Sequence, residues 1–127
     1  MSRSYVVMVI DDDADIRNVV GLILRQAGYE AVTAEHGREA LDLIARNGPP
    51  DLILLDMNMP VMNGWAFAEE ACKGSCSDVP ILVITAALDA QRSADQIGAA
   101  GHIGKPFELA DLLGTVQQHL AQLTKRS

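Results

Sequence analysis

Three short apolar runs, YVVMVI (5–10), DLILL (51–55) and PILVIT (80–85), most narrow what this chain can fold into. A strand with one wet face alternates apolar and polar residues. Runs this continuous, rich in Val, Ile and Leu, belong to strands covered on both faces, as in a parallel sheet. Two weaker runs, EAVTA (30–34) and GHIG (101–104), fit strands nearer an edge.

Segments of helical period separate the runs. Ile16, Val19, Val20, Ile23 and Leu24 follow i, i+3, i+4, i+7, i+8 spacing, and Gly28 falls where a left-handed residue would close that helix. Arg38 to Asn47 carries Ala40, Leu41, Ile44 and Ala45 on one face, with Gly48-Pro49-Pro50 as the stop. Trp65 to Cys72 reads as a short third helix entered through Asn63-Gly64. Residues 90–98 give a weak fourth, and Phe107 to Leu123 a strong fifth with Leu109, Leu112, Leu113, Val116, Leu120 and Leu123 in register. The order βαβαβαβαβα predicts an α/β fold with helices on both faces of a parallel sheet. Right-handed crossovers then lead to a doubly wound, five-stranded, flavodoxin-like sheet with expected strand order 2-1-3-4-5.

The 127 residues suit one domain. No stretch approaches the ~18 consecutive apolar residues of a membrane span. The opening MSRSYVVMVIDDD has an apolar run too short for a signal-peptide core, so no membrane insertion and a cytoplasmic location are expected. A net charge of −7 argues against direct nucleic-acid binding by a basic surface and is compatible with a divalent cation or a basic partner. The C-x3-C spacing of Cys72 and Cys76 is no standard zinc pair, so two reduced structural thiols are expected.

In sheets of this kind the functional crevice lies beyond the carboxyl ends of the strands. Asp11, Asp12 and Asp13 follow the first run and Asp56 follows the third. Thr85 ends the fourth, before Ala86-Ala87, and the fifth leads to Lys105-Pro106. Strands 1, 3, 4 and 5 are neighbours in the expected order, so these groups should share one pocket. Clustered carboxylates repel by about 1 to 4 kcal/mol per close pair, depending on the effective dielectric. Without a cation at least one should have a raised pKa. Mg²⁺ relieves the repulsion, because it takes oxygen ligands while keeping several waters. An aspartate can then act as nucleophile and form an aspartyl phosphate. A lysine and the metal neutralise the phosphoryl oxygens, Thr85 can donate a hydrogen bond to one of them, and small Ala86 leaves room.

VIDDDADIR, LILLDMNMPVMNG, VITAA and GHIGKPF, in this order and each at a strand end, resemble the receiver domain of two-component response regulators. The resemblance extends over residues 5–123 and implies a single receiver domain, residues 1–127 with core 5–123 and no output domain. It implies that Asp56 is the phosphoacceptor, that Asp12 ligates Mg²⁺ directly and Asp11 mainly through water, and that Asn58 offers the metal its backbone carbonyl. It implies phosphoryl contacts from Thr85 and Lys105 and a cis peptide before Pro106. The expected phosphoryl source is a histidine kinase or histidine phosphotransfer protein. The receiver would be a signalling module rather than an enzyme with an external substrate, catalysing its own phosphorylation and slow dephosphorylation and then switching its binding to a downstream protein.

Two departures stand out. His102 occupies a position where receivers commonly carry Tyr or Phe, the ring that turns inward as the hydroxyl residue moves toward the phosphate. Either His102 is a partly exposed side chain that tolerates both positions, or switching is weakened or pH-sensitive. From Thr85 to Lys105 the chain advances twenty residues, fewer than most receivers use, so a short or irregular fourth helix is expected, loosened by Gly98, Gly101 and Gly104. Asn58 and Ala87 lie at positions that shape water access in the family. A small Ala87 predicts a phosphorylated lifetime of minutes or less.

Asp13 and Asp15 are expected to cap and decorate the start of the first helix. Met57, Met59, Met62 and Trp65 are expected in packing, Glu69-Glu70 on a solvated face, and His36 and His119 at the surface. A competing reading is a Mg²⁺-dependent phosphatase resembling the haloacid-dehalogenase family. That family needs a D-x-D-x-[TV] element after the first strand, which Asp11 to Asp15 does not complete. A third reading is an adaptor that binds without phosphate, against which the intact acceptor set argues.

Overall fold

The apolar runs form the middle of the sheet. The computed structural model describes residues 4–126. Its elements are β1 (Val6–Ile10), α1 (Ala14–Gln26), β2 (Glu30–Ala34), α2 (Gly37–Asn47), β3 (Leu52–Asp56), α3 (Gly64–Lys73), β4 (Ile81–Ala86), α4 (Ala87–Ile97), β5 (Gly101–Lys105) and α5 (Leu109–Arg126). The sheet order is β2-β1-β3-β4-β5 and every pairing is parallel, as the alternation of strands and helices predicts. All five residues of β3 are buried, whereas β2 and β5, the two edges, are only partly covered. Ser127 of the tail and residues 1–3 of the N-terminal segment lie outside the described residues.

Successive strand residues point to opposite faces, and the chain fills both. Val7, Val9, Leu52, Leu54, Leu82 and Ile84 pack with Val20, Leu24, Leu112 and Val116 of α1 and α5. Met8, Ile10, Ile53, Leu55 and Val83 pack on the other face with Ala40, Ile44, Phe67 and Ala94 of α2, α3 and α4. Each fully buried Leu or Ile contributes about 1.5 to 3 kcal/mol relative to exposure, so the sheet is held along both faces up to the residues that carry the chemistry.

Local signals set the helix ends. Asp13 caps α1, its carboxylate accepting from the Asp15 and Ile16 N–H groups. Gly28 follows α1 at φ +97°, the conformation expected of a closing glycine. Asn63 caps α3 through the Ala66 N–H. The helical periods mark the cores of the helices, but the ends differ: α2 and α3 each begin a residue earlier than expected, and α5 begins at Leu109, after Phe107.

The expectation of a short or irregular fourth helix is wrong. α4 is a regular helix of 11 residues that closes at a left-handed Gly98. The economy falls in the connection: β4 ends at Ala86 and α4 begins at Ala87, with no residue between. Gly101 and Gly104 do not loosen this region either, because both lie in β5. A Cβ on Gly104 would come within 2.7 Å of the Ala87 Cα, so its bare backbone lets the first turn of α4 rest directly on the edge strand.

His36 and His119 are half-buried rather than surface residues. His36 caps α2, its Nδ1 accepting from the Glu39 N–H at 3.2 Å, and His119 lies 2.9 Å through Nδ1 from the Thr115 carbonyl. Met57 and Met59 are buried, and Trp65 packs beside α4 with its indole N–H donating to Gln96 Oε1 at 2.8 Å. The expectation of two structural thiols holds in part: both cysteines are free and Cys76 is buried, but Cys72 is exposed.

Candidate functional site

The carboxyl ends of β1, β3, β4 and β5 carry Asp11, Asp56, Thr85 and Lys105 into one pocket. Asp56 is the last residue of β3 rather than the first after it, which leaves it only 4% exposed. Asp11 follows β1 and is 1% exposed, fixed by its own N–H donating to the Ala34 carbonyl at 3.1 Å. Asp12, next along, is exposed. Carboxylate oxygens of Asp11, Asp12 and Asp56 lie within 4.8 Å of one another.

The Lys105 ammonium lies 2.9 Å from Asp11 Oδ2 and 3.7 Å from Asp56 Oδ2. Asp11 Oδ1 accepts from the Asp13 N–H at 2.9 Å, whereas buried Asp11 Oδ2 faces the Lys105 ammonium. Burial, reinforced by the Asp11 charge, pushes the Asp56 carboxyl up to about 6, against the opposing pull of Lys105 and of the Asn58 N–H. At Lys105 burial alone acts to lower the pKa. The contact with Asp11 and the charges of Asp11, Asp56 and Asp12 outweigh it and raise it above the ordinary lysine value. Burial first, and the Asp11 charge second, therefore leave one carboxyl of the cluster reluctant to ionise.

The chemistry of this donor set fits a hard divalent cation. Three carboxylates offer oxygen atoms within 4.8 Å of one another, and two of those carboxylates, Asp11 and Asp56, are buried. The lysine supplies a second positive group that needs no metal to be there.

Thr85 approaches from the other face. The alternation that puts Val83 on the α4 side also puts Thr85 there, whereas Asp11, Asp56 and Lys105 share the alternation of Val9, Leu54 and Ile103 on the α1 and α5 side. Thr85 is 2% exposed, and the Asn58 side-chain amide donates to its hydroxyl at 3.2 Å. His102 follows the same alternation as Thr85 on the neighbouring strand, two residues before Thr85's register partner Gly104, and is exposed. The Lys105-Pro106 peptide is cis.

Two contacts escape a reading of the sequence. Arg17 on α1 donates to the Asp11 carbonyl at 2.7 Å, bracing the turn that holds the acids. Asn58 is legible for its backbone carbonyl, not for its side-chain bond to Thr85. The DMN spacing hints at the first role, but nothing local in the sequence signals a contact across 27 positions.

A parallel sheet that gathers an acidic trio, a lysine and a hydroxyl at its carboxyl edge is the architecture of a phosphorylation-controlled signalling module. Residues 7–117 match the Response regulator receiver domain family, and the chain belongs to it. A relative named as the transcriptional regulatory protein PrrA of Mycobacterium tuberculosis is 38% identical over 113 residues, covering 87% of this chain and 48% of the relative. A probable transcriptional regulator, ycf27, of Porphyridium aerugineum is 35% identical over 123 residues, covering 95% of this chain and 50% of the relative. The chain thus spans about half the length of the curated relatives it matches. The solved chemotaxis response regulator CheY4 of Vibrio cholerae superposes with a TM-score of 0.82 at 37% identity, covering 91% of this chain and 98% of that one. The chain is a receiver domain of two-component signalling. Among the described residues no helix is long and apolar enough to cross a membrane.

Proposed function

We propose that Asp56 accepts a phosphoryl group from the phosphohistidine of a histidine kinase or histidine phosphotransfer protein. The observation that carries this reading is the placement of buried Asp56 between Asp11 and the Lys105 ammonium at the carboxyl edge of the sheet. An Asp56 carboxylate oxygen attacks phosphorus, the P–N bond breaks, and the imidazole departs with a proton from solvent. Lys105 meets the charge of the phosphoryl oxygens and Thr85 donates a hydrogen bond to one of them.

Asp11, Asp12, Asp56 and the Asn58 backbone carbonyl would hold Mg²⁺. When bound, the ion supplies charge neutralisation for the carboxylates and the phosphoryl oxygens. The chain's own part is to fix the nucleophile, exclude bulk water and place the ammonium and hydroxyl. The same groups would support slow self-catalysed hydrolysis, as expected of a signalling phosphoacceptor.

The phosphorylated domain would switch affinity for a downstream protein through Thr85 and His102, with residues 5–123 acting as one cytoplasmic unit. A net charge of −7 supports protein rather than nucleic-acid contacts for this segment. Incubation with acetyl phosphate or phosphoramidate and Mg²⁺ tests the reading: one phosphoryl group per chain is expected, absent without Mg²⁺ and absent in Asp56→Asn. Unchanged labelling of Asp56→Asn would show that the acceptor lies elsewhere.

A further inference from the structure

Asn58 is bonded to two functional groups at once. Its backbone N–H donates to Asp56 Oδ1 at 3.3 Å and its side-chain Nδ2 donates to Thr85 Oγ1 at 3.2 Å. We propose that the Asn58 side chain is a positioning residue for the phosphoryl group: its amide holds the Thr85 hydroxyl oxygen and so directs the hydroxyl proton toward the phosphoryl group on Asp56. The inference rests on Asp56 being the acceptor.

The direction of the bond carries the argument. An amide nitrogen can only donate, and a threonine hydroxyl has one proton and two lone pairs. With one lone pair taken by Nδ2, the proton must point elsewhere. Thr85 is buried, and its branched Cβ restricts the side-chain rotamer, so the hydroxyl proton is the one part left free to turn. Among the described residues the Asn58 amide is the only hydrogen-bond partner of that hydroxyl, which leaves the proton uncommitted. An arriving phosphoryl oxygen then completes a chain from amide to hydroxyl to anion, in which each bond polarises the next.

Asn58 is well held for this task. Met57 and Met59 on either side of it are buried, and the Met57 carbonyl accepts from the Gly64 N–H at 3.0 Å. The exposed Asn58 therefore sits on a loop anchored at both neighbours. Its amide reaches from the β3 side of the pocket to Thr85, which belongs to the opposite face of the sheet.

A double-mutant cycle tests the inference, with beryllofluoride and saturating Mg²⁺ as the probe and Asn58→Leu, Thr85→Val and their combination as the variants. Leucine keeps the bulk and the backbone carbonyl of Asn58 but removes the donor. Asn58→Leu is expected to weaken beryllofluoride binding about five-fold in the native background, the worth of one net hydrogen bond. In the Thr85→Val background the same change should weaken it by less than about two-fold, since pairwise coupling disappears with the partner. In the metal-free protein, Asn58→Leu should also shift the Thr85 γ-methyl NMR resonance.

Three results would overturn the inference. One is equal weakening in both backgrounds, which means that Asn58 acts without Thr85. Another is tighter binding in Asn58→Leu, which means that the amide restrains the hydroxyl instead of presenting it. The third is an unmoved Thr85 methyl resonance. Failure of the acceptor reading looks different: native protein that does not bind beryllofluoride, or Asp56→Asn that binds it as well as native, removes the reading and this inference together.

Discussion

On the β1–β3 side of the pocket, Asp11 and Asp56 end strands whose preceding residues are packed on both faces. On the β4–α4–β5 side, Thr85 leads into exposed Ala86 and a helix seated on Gly104, the residue before Lys105. The first wall is made by burial: it holds carboxylates where water cannot relieve them, and their chemistry follows from that discomfort. The second wall is made by smallness, with Gly104 of β5 bare of a Cβ where Ala87, the first residue of α4, rests against it. One wall stores electrostatic tension, and the other provides a close mechanical joint.

The largest effect that sharpens this contrast is on the acidic wall. Asp56 has a folded pKa of about 6 against an ordinary 3.8, so between these values the folded metal-free protein keeps a proton that the unfolded chain has released. Stability should therefore fall as pH rises through that window, with the full penalty present above about pH 6. In Asp56→Asn this pH dependence should be lost, and at pH 8 the metal-free variant should be more stable by about 1 to 3 kcal/mol, the loss of the Lys105 attraction offsetting part of the gain. Urea unfolding at pH 4, 6 and 8 measures it. Mg²⁺ should narrow the difference between the two proteins at pH 8. Equal stabilities at all three pH values would mean that the wall is not under tension.

The second effect concerns the joint. Gly104→Val places a Cβ in the space occupied by Ala87 and should cost about 1 to 3 kcal/mol through overpacking. Amide exchange should show the loss concentrated in α4 and β5, with β1 and β3 still protected. Uniform loss across the sheet would erase the distinction between the walls. The smallest effect compares two helix starts. α1 is capped by Asp13, whereas α4 has Ala86 at its N-cap and no side-chain cap. Asp13→Ala should destabilise by about 1 kcal/mol and Ala86→Ser should stabilise by a few tenths to about 1 kcal/mol, both read from urea midpoints.

The same contrast explains which features can be read in advance. Strands β1, β3 and β4 announce themselves through continuous apolar runs, and Asp11 and Asp56 are found by inspecting the residue just after the first and third of them. Burial is a property of composition along the chain, and so it is legible. Contacts that depend on absence are not. Gly104 reads as looseness in one dimension and turns out to be a seat for Ala87 in three. α4 is rich in Ala, Asp and Gln and carries only Ala90, Ser93 and Ala94 as a buried stripe, a signal too faint to reveal a regular helix. His36 and His119 are tied to backbone groups within their own helices, a use of imidazole that no apolar period displays. The bond from Asn58 to Thr85 exists only once β3 and β4 lie side by side.

The absence of any residue between β4 and α4 has one more consequence. A helix advances about 100° and 1.5 Å per residue, so inserting a single residue at this junction would turn the stripe of Ala90, Ser93 and Ala94 through more than a quarter circle. The azimuth of α4 is thereby indexed to the pleat of β4. Leu88, 97% exposed, has its bearing on the outside world set by the position of Thr85 inside. Like a dial keyed to its shaft, the helix can report a displacement of that hydroxyl only by moving with it, and an insertion at the junction keeps the dial's bearing only if it adds close to a full turn.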